Sequence, residues 1–162
     1  MAKDAELLTL IERLLATEIE FVLVGGLAAV VQGAPITTFD VDIVHRRSSE
    51  NVDRLLVFLT GIGAHYRGRP GPPLPPSRSA LLGPGHSLFM TDLGPLDARG
   101  AIEGGADYDQ LLPRTVAVAI AGCSLRVLTL ETIVALKRAS ADPKDKLRLP
   151  VLEATLGRVK RG

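Results

Sequence analysis

The sequence predicts an α/β (α+β) domain, a mixed β-sheet flanked by helices, and three features carry that expectation. Phe21 to Val24 is an uninterrupted apolar run, the pattern of a strand covered on both faces. The stretches Ser87 to Ala98 and Thr115 to Leu128 each read as two short strands joined by a glycine-containing turn, an antiparallel connection. Segments of helical periodicity lie between these strands, so helices and strands interleave with both kinds of connection.

Taken in order, Asp4 caps a first helix whose Leu7, Leu8, Ile11, Leu14 and Leu15 fall on one face. After the Phe21 to Val24 strand, Gly25-Gly26 turns the chain into a short helix from Leu27 to Gln32, stopped by Gly33 and Pro35. A second strand carries Asp40-Val41-Asp42. Its alternation sends Phe39, Val41 and Ile43 to the core and both aspartates to the other face. Ser48 or Ser49 caps a helix with Val52, Leu55, Leu56 and Leu59 inward, ending near Gly61 and Gly63.

Arg67 to Pro76 is too rich in proline for ladder hydrogen bonds and reads as an extended, solvated stretch, a border loop or a connector. Leu93-Gly94-Pro95 then joins two strands and returns Asp97 toward the sheet, with Asp92 as a turn former. A short helix at Tyr108 to Leu112 precedes a hairpin of Thr115 to Ile120 with Ser124 to Leu128, turning about Ala121-Gly122. Thr129 caps an amphipathic helix through Ile133, Val134, Leu136 and Lys137. Asp142-Pro143 starts a last helical segment, which Pro150 is expected to interrupt before a further set of turns to about Lys160.

A length of 162 residues fits one domain spanning residues 1–162. With 46% hydrophobic and 23% charged residues the composition is that of a soluble globular protein. Nineteen basic against eighteen acidic residues give a net charge of +1, so no global field recruits nucleic acid, and an RNA contact needs a local patch such as Arg158 to Arg161. The aromatic content of 4% argues against a base-stacking platform. The lone Cys123 excludes an internal disulfide and a cysteine-rich zinc site, and fits a cytoplasmic protein with a thiol buried at a strand start. No signal peptide or membrane-length apolar run is visible. His45, His65 and His86 show no metal-ligand or triad spacing.

The chemistry concentrates between Phe21 and Val44. Phosphate is held by backbone N–H groups at a helix N-terminus, where glycine allows close approach. Magnesium takes oxygen ligands, commonly one or two carboxylates with substrate phosphates. Gly25-Gly26 followed by Asp40 and Asp42 therefore offers both halves of a nucleotide–metal site. Two carboxylates on one strand face repel each other unless a cation lies between them. Thr38 stands where it can donate to a phosphate or sugar, or serve as an ordinary strand threonine. Lys137 lies on an otherwise apolar helix face, its ammonium free to snorkel outward or to turn in toward phosphate and the aspartates.

These motifs resemble the nucleotidyltransferase superfamily and, more narrowly, its small bacterial branch that includes the AbiEii-type toxins. The matching blocks are VGGLAAVVQG, TFDVDIV, SLFMTDLGPLDARGAI and LETIVALKRASADPKD, which together span most of the chain. The resemblance implies the nucleotidyltransferase fold, with Gly25 and Gly26 at the nucleotide phosphates and Asp40, Asp42 and Asp97 as the catalytic metal ligands. Lys137 and Lys144 fall where related sequences place basic residues near the site. It departs from the family at Ile36, Phe39 and Asp142, where relatives often carry basic residues, and that loss of charge weakens the expected hold on a triphosphate.

The implied activity is metal-dependent transfer of a nucleoside monophosphate from an NTP to an acceptor hydroxyl, with Mg2+ or Mn2+ as cofactor and pyrophosphate released. The acceptor would be a tRNA or other RNA end or a protein, in a toxin–antitoxin or phage-defence role, with a cognate partner protein or a second copy helping to hold it. Two alternatives stand beside this: a non-catalytic nucleotide-binding or antitoxin-like partner of the same fold, and a small-molecule transferase of the aminoglycoside type, which would require an acidic acceptor pocket.

Overall fold

The computed structural model describes residues 3–161, with side chains described from residue 6 onward. Seven strands form one mixed sheet in the order β3-β4-β5-β2-β1-β7-β6. Helix α1 (Lys3–Leu15) leads into β1 (Phe21–Val24), which is buried along its whole length as its apolar run requires. Helix α2 (Gly25–Val30) follows without a connecting loop and begins two residues before the expected Leu27. Strand β2 (Val41–His45) returns antiparallel to β1 and is buried throughout.

Helix α3 (Ser49–Gly61) is capped by Ser48, whose side chain accepts from the Asn51 N–H. Strand β3 (His65–Tyr66), helix α4 (Arg78–Leu82) and the hairpin β4 (His86–Thr91) with β5 (Gly94–Arg99) build one wing of the sheet. Helix α5 (Tyr108–Leu111) and a 3-10 turn lead to the hairpin β6 (Thr115–Ile120) with β7 (Cys123–Leu128) on the other wing. Helices α6 (Leu130–Ala139) and α7 (Pro143–Arg161) close the chain. The two wings meet at the centre, where β5 runs parallel to β2 and β7 runs parallel to β1.

One hydrophobic core underlies this sheet, with Leu10, Ile11 and Leu14 of α1, Leu55 and Leu59 of α3, and Leu23, Ile43 and Leu96 of the central strands all fully buried. Buried Asn51 ties the entry to β1 to the exit from β2. Its Oδ1 accepts from the Glu20 N–H at 2.8 Å, and its Nδ2 donates to Glu20 O at 2.9 Å and Arg46 O at 2.8 Å. Gln32 performs a similar service at the end of α2, donating to Leu128 O at 2.8 Å and accepting from the Leu130 N–H at 3.2 Å. These contacts fix where β1 and α2 stand relative to the rest of the sheet.

Four expectations need correction. Leu8 does not share the buried face of α1 and is 43% exposed. Phe39 does not enter the core: strand geometry begins only at Val41, so the alternation fails upstream and Phe39 is 58% exposed. Pro150 does not interrupt α7, which runs unbroken through it. Proline removes one backbone donor, and the helix holds through its buried Leu152 and Thr155 and the Arg138–Glu153 ion pair to α6. Cys123 is exposed, because it sits at the turn end of an edge hairpin instead of inside the sheet. No helix among the described residues is long and apolar enough to cross a membrane.

Candidate active site

Parallel pairing of β2 with β5 sets Asp42 directly beside Asp97 in register, and adjacent strands stand about 4.7–4.9 Å apart. Asp40 lies just before β2. The three carboxylates converge, each offering an oxygen within 4.8 Å of the others. Asp42 and Asp97 are buried, and Asp40 is half-buried.

Gly25 turns the chain from β1 into α2 directly against this group. Its φ is +74°, and a Cβ there would lie 2.2 Å from Asp42 Oδ2, so no side chain fits. Gly26 is packed against Thr38 and Arg148, with a Cβ falling 3.0 Å from Thr38 Oγ1 and 3.2 Å from the Arg148 guanidinium. Arg148 reaches across from α7 and donates to Thr37 O at 3.0 Å.

Electrostatics single out Asp42. Burial, followed by the neighbouring Asp97 and Asp40 carboxylates, pushes it from the ordinary 3.8 up to about 8, with Arg99 opposing. Asp40 is raised for the same reasons, burial first and then Asp97, with Arg67 and Arg99 opposing. Arg67 follows β3 and lies 2.6 Å from Asp97 Oδ1. Arg99 ends β5 and lies 3.7 Å from Asp42 Oδ1. The charge proximity is real but the N–H directions miss: Asp42 Oδ1 and Asp97 Oδ1 are buried without an aligned hydrogen-bond donor among the described residues.

Converging, like-charged, incompletely satisfied carboxylate oxygens are a donor set suited to a hard divalent cation. The residues present therefore fit the metal that the sequence motif implies.

The structure thus brings together Asp40, Asp42 and Asp97, with Gly25 and Gly26 alongside and Thr38 behind Gly26. It places the Lys137 ammonium 2.7 Å from Asp145 Oδ1, an acid also held by Ser140 at 2.6 Å. Lys144 is exposed at the start of α7, where Asp142 accepts from its backbone N–H at 2.9 Å. Arg67, Arg99 and Arg148 were not singled out by sequence reasoning. Arg99 carried a usable signal, since it lies two residues beyond Asp97 and so on the same strand face. Arg67 and Arg148 carried none, because irregular chain and a distant helix bring them in.

No family model matches the chain, and no curated protein matches it in sequence. Solved structures do match. The lincosamide antibiotic adenylyltransferase LnuA, bound to lincomycin, aligns with a TM-score of 0.62 at 14% identity, covering 94% of this chain and 97% of that one. The antibiotic-resistance factor ANT(2'')-Ia aligns at 0.59 and 17% identity, covering 97% and 88%. A Thermotoga maritima protein assigned as a nucleotidyltransferase aligns at 0.56 and 20% identity, covering 94% and 96%. At these identities the likeness establishes the fold: a mixed sheet flanked by helices, as in nucleotidyltransferases.

Proposed function

We propose that this protein is a metal-dependent nucleotidyltransferase that moves a nucleoside monophosphate from an NTP to an acceptor hydroxyl. The carrying observation is the convergence of Asp40, Asp42 and Asp97 within 4.8 Å beside the Gly25-Gly26 turn. Asp40, Asp42 and Asp97 would hold Mg2+ or Mn2+. Such ions, when bound, neutralise phosphate charge and make an acceptor hydroxyl more nucleophilic.

The chain's own residues supply position and charge. The tight turn at Gly25 and Gly26 lets Asp42, Thr38 and Arg148 close in on the end of β1, where backbone N–H groups would meet the triphosphate. Thr38, behind that turn, can donate to a phosphate or sugar. Arg148 adds positive charge beside Gly26 where Ile36 and Phe39 provide none. The acceptor oxygen bonds to the α-phosphorus, the bond to the β-phosphate oxygen breaks, and pyrophosphate leaves with that electron pair. Asp97 can take the hydroxyl proton. Lys137 would act on nucleotide only by giving up Asp145, and the exposed Lys144 side chain would have to reach in from the start of α7.

For the acceptor, a small hydroxyl compound bearing an amine is favoured over an RNA end. A cavity of about 260 Å³ is lined by Glu6, Phe39, Met90, Asp92, Gly94 and Pro95, of which Phe39 precedes Asp40 in the chain and Pro95 stands two residues before Asp97. No basic residue lines it among the described residues, so it would repel a polyanion and welcome a cation. LnuA is named as an adenylyltransferase of a lincosamide antibiotic and ANT(2'')-Ia as an antibiotic-resistance factor, which favours a small-molecule acceptor. An AbiEii-like toxin–antitoxin role, with tRNA or protein as acceptor and a cognate partner or second copy, is the second reading and rests on the motif blocks together with the exposed basic end of α7.

Incubation with each labelled triphosphate, Mg2+ or Mn2+, and either amine-bearing hydroxyl compounds or total tRNA tests both readings. Label transfer that vanishes in Asp40→Ala and Asp42→Ala supports the enzyme, and the acceptor that takes the label decides its class. Metal-dependent nucleotide binding without transfer to any acceptor would leave a non-catalytic, nucleotide-binding partner of the same fold.

A further inference from the structure

Three acidic side chains gathered in a largely buried site need positive charge even without a metal, and the chain supplies it itself. Arg67 reaches the trio from the start of the proline-rich segment. Its backbone N–H donates to Leu88 O at 3.0 Å and its Nη1 to Phe89 O at 2.7 Å, which leaves Nη2 against Asp97. Arg99 stands on the same strand face as Asp97, with Nη2 near Asp42 and Nη1 3.5 Å from His86 Nδ1. Its Nε is buried with no hydrogen-bond partner among the described residues. The Arg67 and Arg99 side chains remain 27% and 25% exposed, against 6% for Asp97 and 12% for Asp42.

Carboxylates held this way face two competitors for the same oxygens, an internal guanidinium and an incoming divalent cation. Guanidinium also pairs well with phosphate, through planar bidentate hydrogen bonds.

Building on the nucleotide–metal reading, we infer that Arg67 and Arg99 are exchangeable counter-cations. In the metal-free protein Arg67 pairs with Asp97, and Arg99 stands 3.7 Å from Asp42. When a divalent cation takes over those carboxylates, the two guanidiniums turn to the phosphate oxygens of the bound triphosphate. They replace the positive charge that Ile36 and Phe39 do not provide, and the unsatisfied Arg99 Nε gains an acceptor. The same two positive charges then serve the empty and the loaded state, and metal binding without nucleotide is held weak.

Opposite signs in two binding measurements test this. Mn2+ alone is titrated into wild type, Arg67→Gln and Arg99→Gln by calorimetry. A non-hydrolysable α,β-methylene ATP is then titrated at saturating Mn2+. Each Gln variant is expected to bind Mn2+ alone about threefold to fivefold more tightly and the nucleotide analogue about threefold to fivefold more weakly, the change that one partly exposed ion pair commands. Arg67→Lys and Arg99→Lys, which keep the charge, return Mn2+ affinity toward wild type. If one variant fails to fold, as read from its thermal melt, the other and the Lys pair carry the same comparison. A fall in both affinities would mean that the arginines only position the acids, and no change in either would mean that they are bystanders; both outcomes overturn the inference. A wild type that takes up no Mn2+ with or without nucleotide would instead sink the underlying site assignment.

Discussion

Replacing Asp42 by asparagine should stabilise the metal-free protein while removing its response to metal. Asparagine keeps the shape of the side chain and discards the ionisation that the site resists. Burial and its acidic neighbours push Asp42 from 3.8 up to about 8, so between those values the folded state holds a proton that the unfolded state has lost. Stability contributed by this group therefore falls as pH rises through that window. At pH 7 the deficit spans about three decades, or about 4 kcal/mol at roughly 1.4 kcal/mol per decade. Asp40, also raised, acts with the same sign. Buried His45, whose Nε2 lies 2.7 Å from Leu81 O, is lowered by burial and acts oppositely: below about 6.5 its contribution is lost as pH falls.

The difference between Asp42→Asn and wild type reads the Asp42 contribution together with its interaction with Asp40 and Asp97, and leaves out that of His45. Urea unfolding in EDTA at pH 5 and pH 8 should show the variant's advantage growing by about 2–4 kcal/mol toward the higher pH. Excess Mn2+ at pH 8 should raise wild-type stability and leave the variant unmoved. An advantage that is the same at both pH values would refute the reasoning, since Asp42 would then ionise without hindrance.

Mn2+ affinity should climb with pH by up to about tenfold per unit between pH 6 and 8 as Asp42 gives up its proton, and a flat calorimetric profile would contradict this. Gly25→Ala, strained at φ +74° and driven into Asp42 Oδ2, should lose about 1–3 kcal/mol in urea melts together with Mn2+ binding, whereas Gly26→Ala should be the milder change. Asn51→Ala removes three buried hydrogen bonds and should cost about 2–4 kcal/mol, with the loss read from the denaturation midpoint at unchanged m-value. Exposed Cys123 should react with a thiol reagent in the native protein as fast as in urea; protection in the native state would restore the buried reading.

Local patterns made much of this molecule readable. The apolar run of β1, the Ser48 and Thr129 caps and the paired strands around Gly94 and Gly122 each rest on neighbours a few residues apart, and each occurs close to where the chain implied. The glycine turn, Asp42 of β2 and Asp40 just before it were legible for the same reason. Errors arose where a local rule met a longer-range condition. Alternation placed Phe39 inside, but the strand that would have enforced it starts two residues later. Pro150 carries a helix-breaking signal that packing of α7 on α6 outweighs. Cys123 read as buried because its position on an edge hairpin depends on strand order, which no short window contains.

By itself the sequence determined most of the strands, turns and helices, though not β3 or α4, and which residue types could hold phosphate and metal, since backbone sterics and side-chain chemistry act within a few residues. Only the tertiary structure decided that β5 lies parallel to β2, the pairing that sets Asp97 beside Asp42. It alone delivered Arg67, Arg99 and Arg148 to the site and turned Lys137 to Asp145. Strand order and side-chain charge compensation are settled by contacts between residues far apart in the chain, where burial of the whole core selects one arrangement.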